Sequence, residues 1–177
     1  MRREVTFLEA LQAKTARTTI TSSSMRGPGC VQAIEHARAF AGRVVLRRFS
    51  CRSRAAFIKQ LDEATAELLS MMPRPHCYWG LARKGINIFL RECLYTAYLR
   101  DAARLSKSEH FFELPLDSFT GKALRATDRK LPRWDTVRRL TPSLSAQFQD
   151  AATLEGKRRG IARVHLDVFW WGHRGNV

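Results

Sequence analysis

Residues 78–105, YWGLARKGINIFLRECLYTAYLRDAARL, are the longest strongly patterned stretch of the chain and set its fold class. Wound at about 100° per residue, they gather Ala82, Ile86, Phe89, Leu90, Cys93 and Ala97 on one side. Arg83, Lys84, Asn87, Arg91, Tyr95 and Tyr98 gather on another. The period predicts one long helix at the centre of the fold, its apolar face packed and its second face a mixture of cations, an amide and phenol rings. Such groups hold phosphates and stack on bases.

The flanking segments carry the same helical period. Upstream, Val5, Leu8 and Leu11 predict a helix over 3–18, and the Ser-rich run from Thr18 to Gly29, ending in Gly-Pro-Gly, predicts a linker. The chain then divides into an N-terminal helix with flexible linker (1–29), the helix being an arm that docks elsewhere, and a helical domain (30–177). Val31, Ile34, Ala37, Ala41, Val44 and Val45 make the apolar face of a helix over 31–48. Ser53 caps a third helix with Phe57, Leu61, Ala64, Leu68 and Met72 inward, stopped by Pro73 and Pro75.

Downstream, Asp117 reads as an N-cap with a helix behind it, 131–140 as a short Pro-led helix, and Thr141-Pro142 as the start of a helix broken at Gly160. The segment 161–171 fits a strand by the alternation of Val164, Leu166, Val168 and Trp170. It fits a helix by Ile161, Val164, His165, Val168 and Phe169. Helix is preferred, because no other segment offers a strand partner. The expectation is an all-α fold, a single compact domain of about six to eight helices.

Charge narrows the partner. The 177 residues carry 31 Lys+Arg against 16 Asp+Glu, a net charge of +15. The excess is uneven: 12 basic and 3 acidic side chains in 1–60, 7 and 8 in 61–120, and 12 and 5 in 121–177. Two basic flanks enclose a nearly neutral middle. A field of that sign attracts polyanions, and nucleic acid is the commonest of these for an intracellular protein. The candidate contacts are Arg83, Asn87, Arg91 and Tyr95 on the central helix, Lys122 and Arg125 behind Asp117, Arg47 and Arg48 in the first flank, and Lys157, Arg158 and Arg159 in the last.

Cys30, Cys51, Cys77 and Cys93 form no CxxC pair, and the five histidines have no ligand spacing, so no metal or other cofactor is expected. Cys51 and Cys93 sit where small apolar residues would, which suits a reducing cytoplasm. No apolar run approaches the ~18–20 residues that span a bilayer, so no membrane partner is expected. Oligomeric state is not legible in the sequence.

One constellation stands above this background: Lys84 on the patterned helix, a connection, and then Asp117 inside ELPLDSFTGKALR (113–125). An N-cap carboxylate is kept ionised by the helix-end N–H groups and the dipole. It can stabilise a positive sugar or take a proton from an attacking amine. A lysine flanked by Arg83 and Arg91 has cationic neighbours, which favour the neutral, nucleophilic amine.

The run Leu114-Pro115-Leu116-Asp117-Ser118-Phe119-Thr120 resembles the segment that opens the catalytic-Asp helix in the helix-hairpin-helix DNA glycosylase superfamily. Lys84, 33 positions before Asp117, makes the archaeal oxoguanine glycosylase branch the most similar. The resemblance covers 77–125. It implies Lys84 as nucleophile, Asp117 as its acidic partner, and a damaged base flipped into a pocket of aromatic side chains. Trp79, Trp134, Trp170 and Trp171, with Phe169, are the candidates for that pocket, and DNA is expected ahead of RNA. Two other readings fit the residues: a non-catalytic DNA- or RNA-binding protein, and a helical protein whose C-terminal aromatics line an apolar small-molecule pocket.

Overall fold

A central helix does form from the quoted stretch, α4 (Trp79–Tyr95), and it is buried on more than one side. The structure is a computed structural model that describes residues 4–25, 31–74 and 77–171. Among these the chain is all-α. The other helices are α1 (Phe7–Thr19), α2 (Val31–Ala41), α3 (Arg54–Met71), α5 (Ala97–Ala103), α6 (Ser118–Thr127), α7 (Pro142–Arg159) and α8 (Leu166–Trp171), and 3₁₀ turns occur at Leu46–Phe49, Leu105–Phe111, Val137–Arg139 and Arg163–His165.

Two apolar clusters explain why α4 is covered so completely. The larger joins α1 to α5, with Phe49, Phe57, Leu61, Leu68, Phe89, Leu90 and Phe112 at its centre. The smaller joins α6, α7 and the 131–140 loop around Leu114, Leu124, Trp134 and Phe148. Val137 packs on both. The expected N-terminal arm is docked: α1 packs on α2, α4 and α5. Gln12 ties it down by donating from Nε2 to the carbonyls of Ala41 and Val44 at 2.8 Å each. Of the expected linker, residues 26–30 lie outside the described residues.

Three expected helices are shorter than their patterns. The helix over 78–105 breaks at Thr96, which is extended (φ −83°, ψ 105°) and turns its hydroxyl back to the Glu92 carbonyl. The break re-aims the chain so that Leu99 and Ala103 of α5 enter the larger cluster. The helix over 31–48 ends at Ala41, and Leu46 and Phe49 reach the core from a separate 3₁₀ turn. Over 131–140 only Val137–Arg139 is helical. A Cβ on Gly80 would stand 2.2 Å from the Val137 carbonyl and 2.7 Å from Leu140 Cβ, so this loop takes its shape from close approach to α4 rather than from its own hydrogen bonds.

The segment left open in the sequence, 161–171, is helical, and no strand occurs among the described residues. The one extended stretch that matters runs from Phe112 to Asp117 between the clusters. Buried backbone outside regular structure needs side-chain partners. Gln149 supplies two, accepting from Leu114 N at 3.0 Å and donating to Leu114 O at 2.8 Å. Arg163 donates to the Phe111 and Phe112 carbonyls at 2.8 and 2.9 Å. Asp117 is thereby delivered to the head of α6 on a fixed rail.

Trp134 is held as firmly. Its ring lies against Gly121 of α6, where a Cβ would meet Cε3 at 2.3 Å, and Phe148 meets it edge-on at 5.3 Å. Gly121→Ala gains roughly 1 kcal/mol of helix propensity and loses more by overpacking a wall with no slack, which costs about 1–3 kcal/mol. A net loss of about 1 kcal/mol is expected, read as a lower urea midpoint at unchanged slope. A raised midpoint would show that the indole can move aside.

Candidate active site

The expected pair meets. Lys84 Nζ lies 3.5 Å from Asp117 Oδ2. The two carboxylate oxygens of Asp117 have different work. Oδ1 accepts from the Phe119 and Thr120 backbone N–H groups at 2.9 and 3.1 Å, and the Thr120 hydroxyl accepts from Asp117 N at 2.9 Å, closing a capping box. The N-cap bonds fix the side-chain rotamer, and the helix dipole favours its charge. Oδ2 is turned to the lysine. Lys84 is buried, its side chain 7% exposed, and Asp117 is more open at 28%.

Both residues open into one cleft of about 1390 Å³ between the two clusters. Thr18 in the last turn of α1, with Thr21 and Ser24 just after it, lines one side, and Trp134 and Trp170 line another. The turn carrying Ser24 is set against α4 by Met25, whose Sδ comes within 3.0 Å of where a Cβ on Gly85 would stand. A second ion pair faces the same space: Arg91, about two α4 turns after Lys84, is hydrogen-bonded through Nη1 to Asp167 Oδ2. Asp167 is buried, and its Oδ1 has no hydrogen-bond partner among the described residues.

The neighbouring cations of Lys84 do not lie where the helical wheel suggests. Arg83 and Asn87, expected on a phosphate-binding face, are turned inward to Glu113. Arg83 donates to its Oε2 and Oε1 at 2.9 and 3.0 Å, to Asp62 at 2.7 Å and to Thr65 at 3.0 Å; Asn87 donates to Glu113 Oε2 at 2.9 Å. Burial raises the Glu113 carboxyl, but Arg83, Arg163 and Asn87 outweigh it and hold it below the ordinary glutamate range. Arg83 and Arg91 each face a carboxylate of their own, so neither stands beside Lys84 as an uncompensated charge. Burial also lowers the Arg163 guanidinium, to about 10, against the opposing pull of Glu113.

The remaining sequence candidates scatter. Arg48 is paired with Glu63 and Glu67, and Arg158 and Arg159 with Glu155, while Arg47 and Lys157 are exposed. Tyr95 is exposed and bonded through its hydroxyl to His165 Nδ1 at 2.9 Å; His165 reaches Glu109 at 2.8 Å. Burial raises the Tyr95 phenol. Lys122 lines the cleft, and Arg125 lies beyond it on α6 in a second concavity. Of the tryptophans, Trp134 and Trp170 line the cleft, Trp79 packs under the Arg83 guanidinium at 5.3 Å, and the Trp171 side chain lies outside the described residues.

Sequence reasoning missed Asp167, Glu113 and Arg163. Glu113 had a signal, a lone acid in the apolar run FFELPL (111–116); its partner 30 positions away had none. Among the described residues no group of three or more His, Cys, Asp or Glu is placed to hold a metal ion, and no helix is long and apolar enough to cross a membrane. Cys93 is buried in the larger cluster, and burial raises its thiol. No protein-family model, curated protein or solved structure matches this chain.

Proposed function

We propose that the protein is a DNA-binding base-excision enzyme, a glycosylase with lyase activity, in which Lys84 is the nucleophile and Asp117 its proton acceptor and charge partner. The observation that carries this reading is the Lys84–Asp117 contact at the head of α6, inside a cleft walled by Trp134 and Trp170. The net charge of +15 supplies the attraction to the polyanion. The unpaired state of Cys51, Cys77 and Cys93 accords with a cytoplasmic setting.

The chemistry follows from the two side chains. A base flipped from the duplex enters the cleft and lies against the indole rings. Lys84 must lose a proton before it attacks, and Asp117 Oδ2 is positioned to take it. The amine then bonds to the sugar C1′, the N-glycosidic bond breaks, its electron pair leaves with the base, and the proton held by Asp117 passes to that base. Opening of the sugar ring gives an iminium between Lys84 Nζ and C1′. The ring oxygen O4′ keeps the electron pair of its bond to C1′ and takes a proton from the bonded amine, and the Asp117 carboxylate, restored once the base has taken its proton, balances the charge of the iminium.

Borohydride reduces such an iminium to a stable amine, so the test is trapping. Duplexes each carrying one oxidised, deaminated or abasic nucleotide are incubated with the protein and borohydride. A covalent protein–DNA species is expected from at least one duplex with the parent chain, and from none with Lys84→Gln. Absence of any trapped species across the panel, with salt-sensitive DNA binding intact, overturns the enzyme and leaves a non-catalytic binding protein.

A further inference from the structure

Most of the cations named from the sequence are neutralised within the fold. Arg48, Arg83 and Arg91 each hold a carboxylate, and Arg158 and Arg159 share that of Glu155. Charges so compensated have little left to offer a polyanion. A different set is concentrated on one side of α6 and the loop after it. Lys122, Arg125, Arg129 and Arg133 line a concavity of about 570 Å³ together with Ala126 and Trp134.

None of these four has an ion-pair partner among the described residues. The nearby acids are otherwise engaged: Asp128 caps the loop by accepting from Lys130 N at 2.9 Å, and Asp135 pairs with Arg139 at 3.0 Å. Lys122, Arg129 and Arg133 are exposed, whereas Arg125 is half-buried with an Nε that has no acceptor among the described residues. The concavity shares Lys122, Ala126 and Trp134 with the cleft that holds Lys84 and Asp117. The two spaces therefore meet along one wall, formed by the α6 surface and the indole.

We propose that this shelf, Lys122, Arg125, Arg129 and Arg133, binds successive phosphates of the nucleic-acid strand next to the nucleotide whose base enters the cleft. The assignment rests on the base-excision reading for the second half of that statement, and on charge alone for the first. Arg129 and Arg133 were not evident in the sequence, because they lie in a loop and share no helical face. Their guanidinium groups suit phosphate oxygens, which they can grip in pairs. The shelf locates the strand; the cleft selects the base.

The test is the salt dependence of binding to an undamaged duplex, measured with the full chain. The double variant R129Q/R133Q is expected to make the slope of log affinity against log salt shallower by about 1.8, at roughly 0.9 per phosphate contact. A control of equal charge loss, K59Q/K107Q, removes two exposed lysines elsewhere and is expected to leave the slope nearly unchanged. Equal losses from both variants would overturn the shelf, because net charge alone would then explain binding. So would equal loss of binding to phosphatidylserine vesicles, which would assign the shelf to an anionic surface. The two proposals fail separately: a trapped covalent complex with an unaltered slope in R129Q/R133Q sinks the shelf only, and a shallower slope with no trapping at Lys84 sinks the enzyme only.

Discussion

Glu113→Gln should lower stability by roughly 3 kcal/mol, because removing one partner of a buried ion pair typically costs about 3–5 kcal/mol. The carboxylate is buried and receives two bonds from Arg83 and one from Asn87. The isosteric amide keeps the volume and removes the charge. Arg83 then keeps the Thr65 hydroxyl and, as its remaining charged partner among the described residues, Asp62, a carboxylate more than half exposed and screened by water. Arg163, whose guanidinium is already lowered by burial, loses its opposing charge as well. For a chain of this size a loss of that order lowers the melting temperature by roughly 6–12 °C. Urea titration reads the loss directly, and a variant within 1 kcal/mol of the parent would show that the cluster is held by packing instead.

The same cluster sets an acid limb. The folded Glu113 carboxyl lies below its ordinary value, so it contributes stability that is fully present above the unfolded glutamate pKa of about 4.3. That contribution is lost as pH falls from there through the lower folded value. Parent and Glu113→Gln should therefore differ most at neutral pH and converge under acid. Parallel curves between pH 6 and 3 would remove Glu113 from the account.

Which parts of this were legible in the sequence follows from what a sequence pattern encodes. Local chemistry reads well. Thr141 and Pro142 open α7, and Gly160, in the left-handed region at φ 68°, closes it. Ser53 caps α3 by accepting from Ala56 N, and Asp117 caps α6 as its spacing suggests. Each of these depends on residues within a turn of one another.

What a pattern does not encode is the other side of a contact. The helical wheel groups Arg83, Lys84 and Asn87 on one polar face, but it cannot say that Glu113 draws Arg83 and Asn87 inward while Lys84 meets Asp117. A polar stripe covered by its own counter-charges looks identical, in sequence, to one left for a ligand. Thr96 shows the same limit. Apolar spacing continues across it, and the break accompanies the docking of α5 against α1 and against the 3₁₀ turns Leu46–Phe49 and Leu105–Phe111. In the 131–140 loop, the close approach at Gly80 and the Trp134–Gly121 contact outweigh the helical pattern.

Asp117→Asn separates the two duties of this side chain and should have the largest effect on turnover. Asn caps helices about as well as Asp. The Oδ1 bonds to Phe119 and Thr120 can persist through the amide oxygen. Stability should therefore change by no more than about 0.5 kcal/mol, the loss of charge at the helix N-terminus accounting for it. Oδ2 is replaced by an amide that cannot take a proton from Lys84 or balance charge on the sugar. Loss of a positioned acid–base group lowers rates by about 10²- to 10⁴-fold, and base release in single turnover should fall by that factor, with DNA affinity kept. Asp117→Ala provides the contrast: it loses the cap as well, at about 1 kcal/mol. If Asp117→Asn released base at the parent rate while Asp117→Ala unfolded early, the carboxylate would serve the helix alone, and the nearby Lys84 would have to be activated by another group in the cleft.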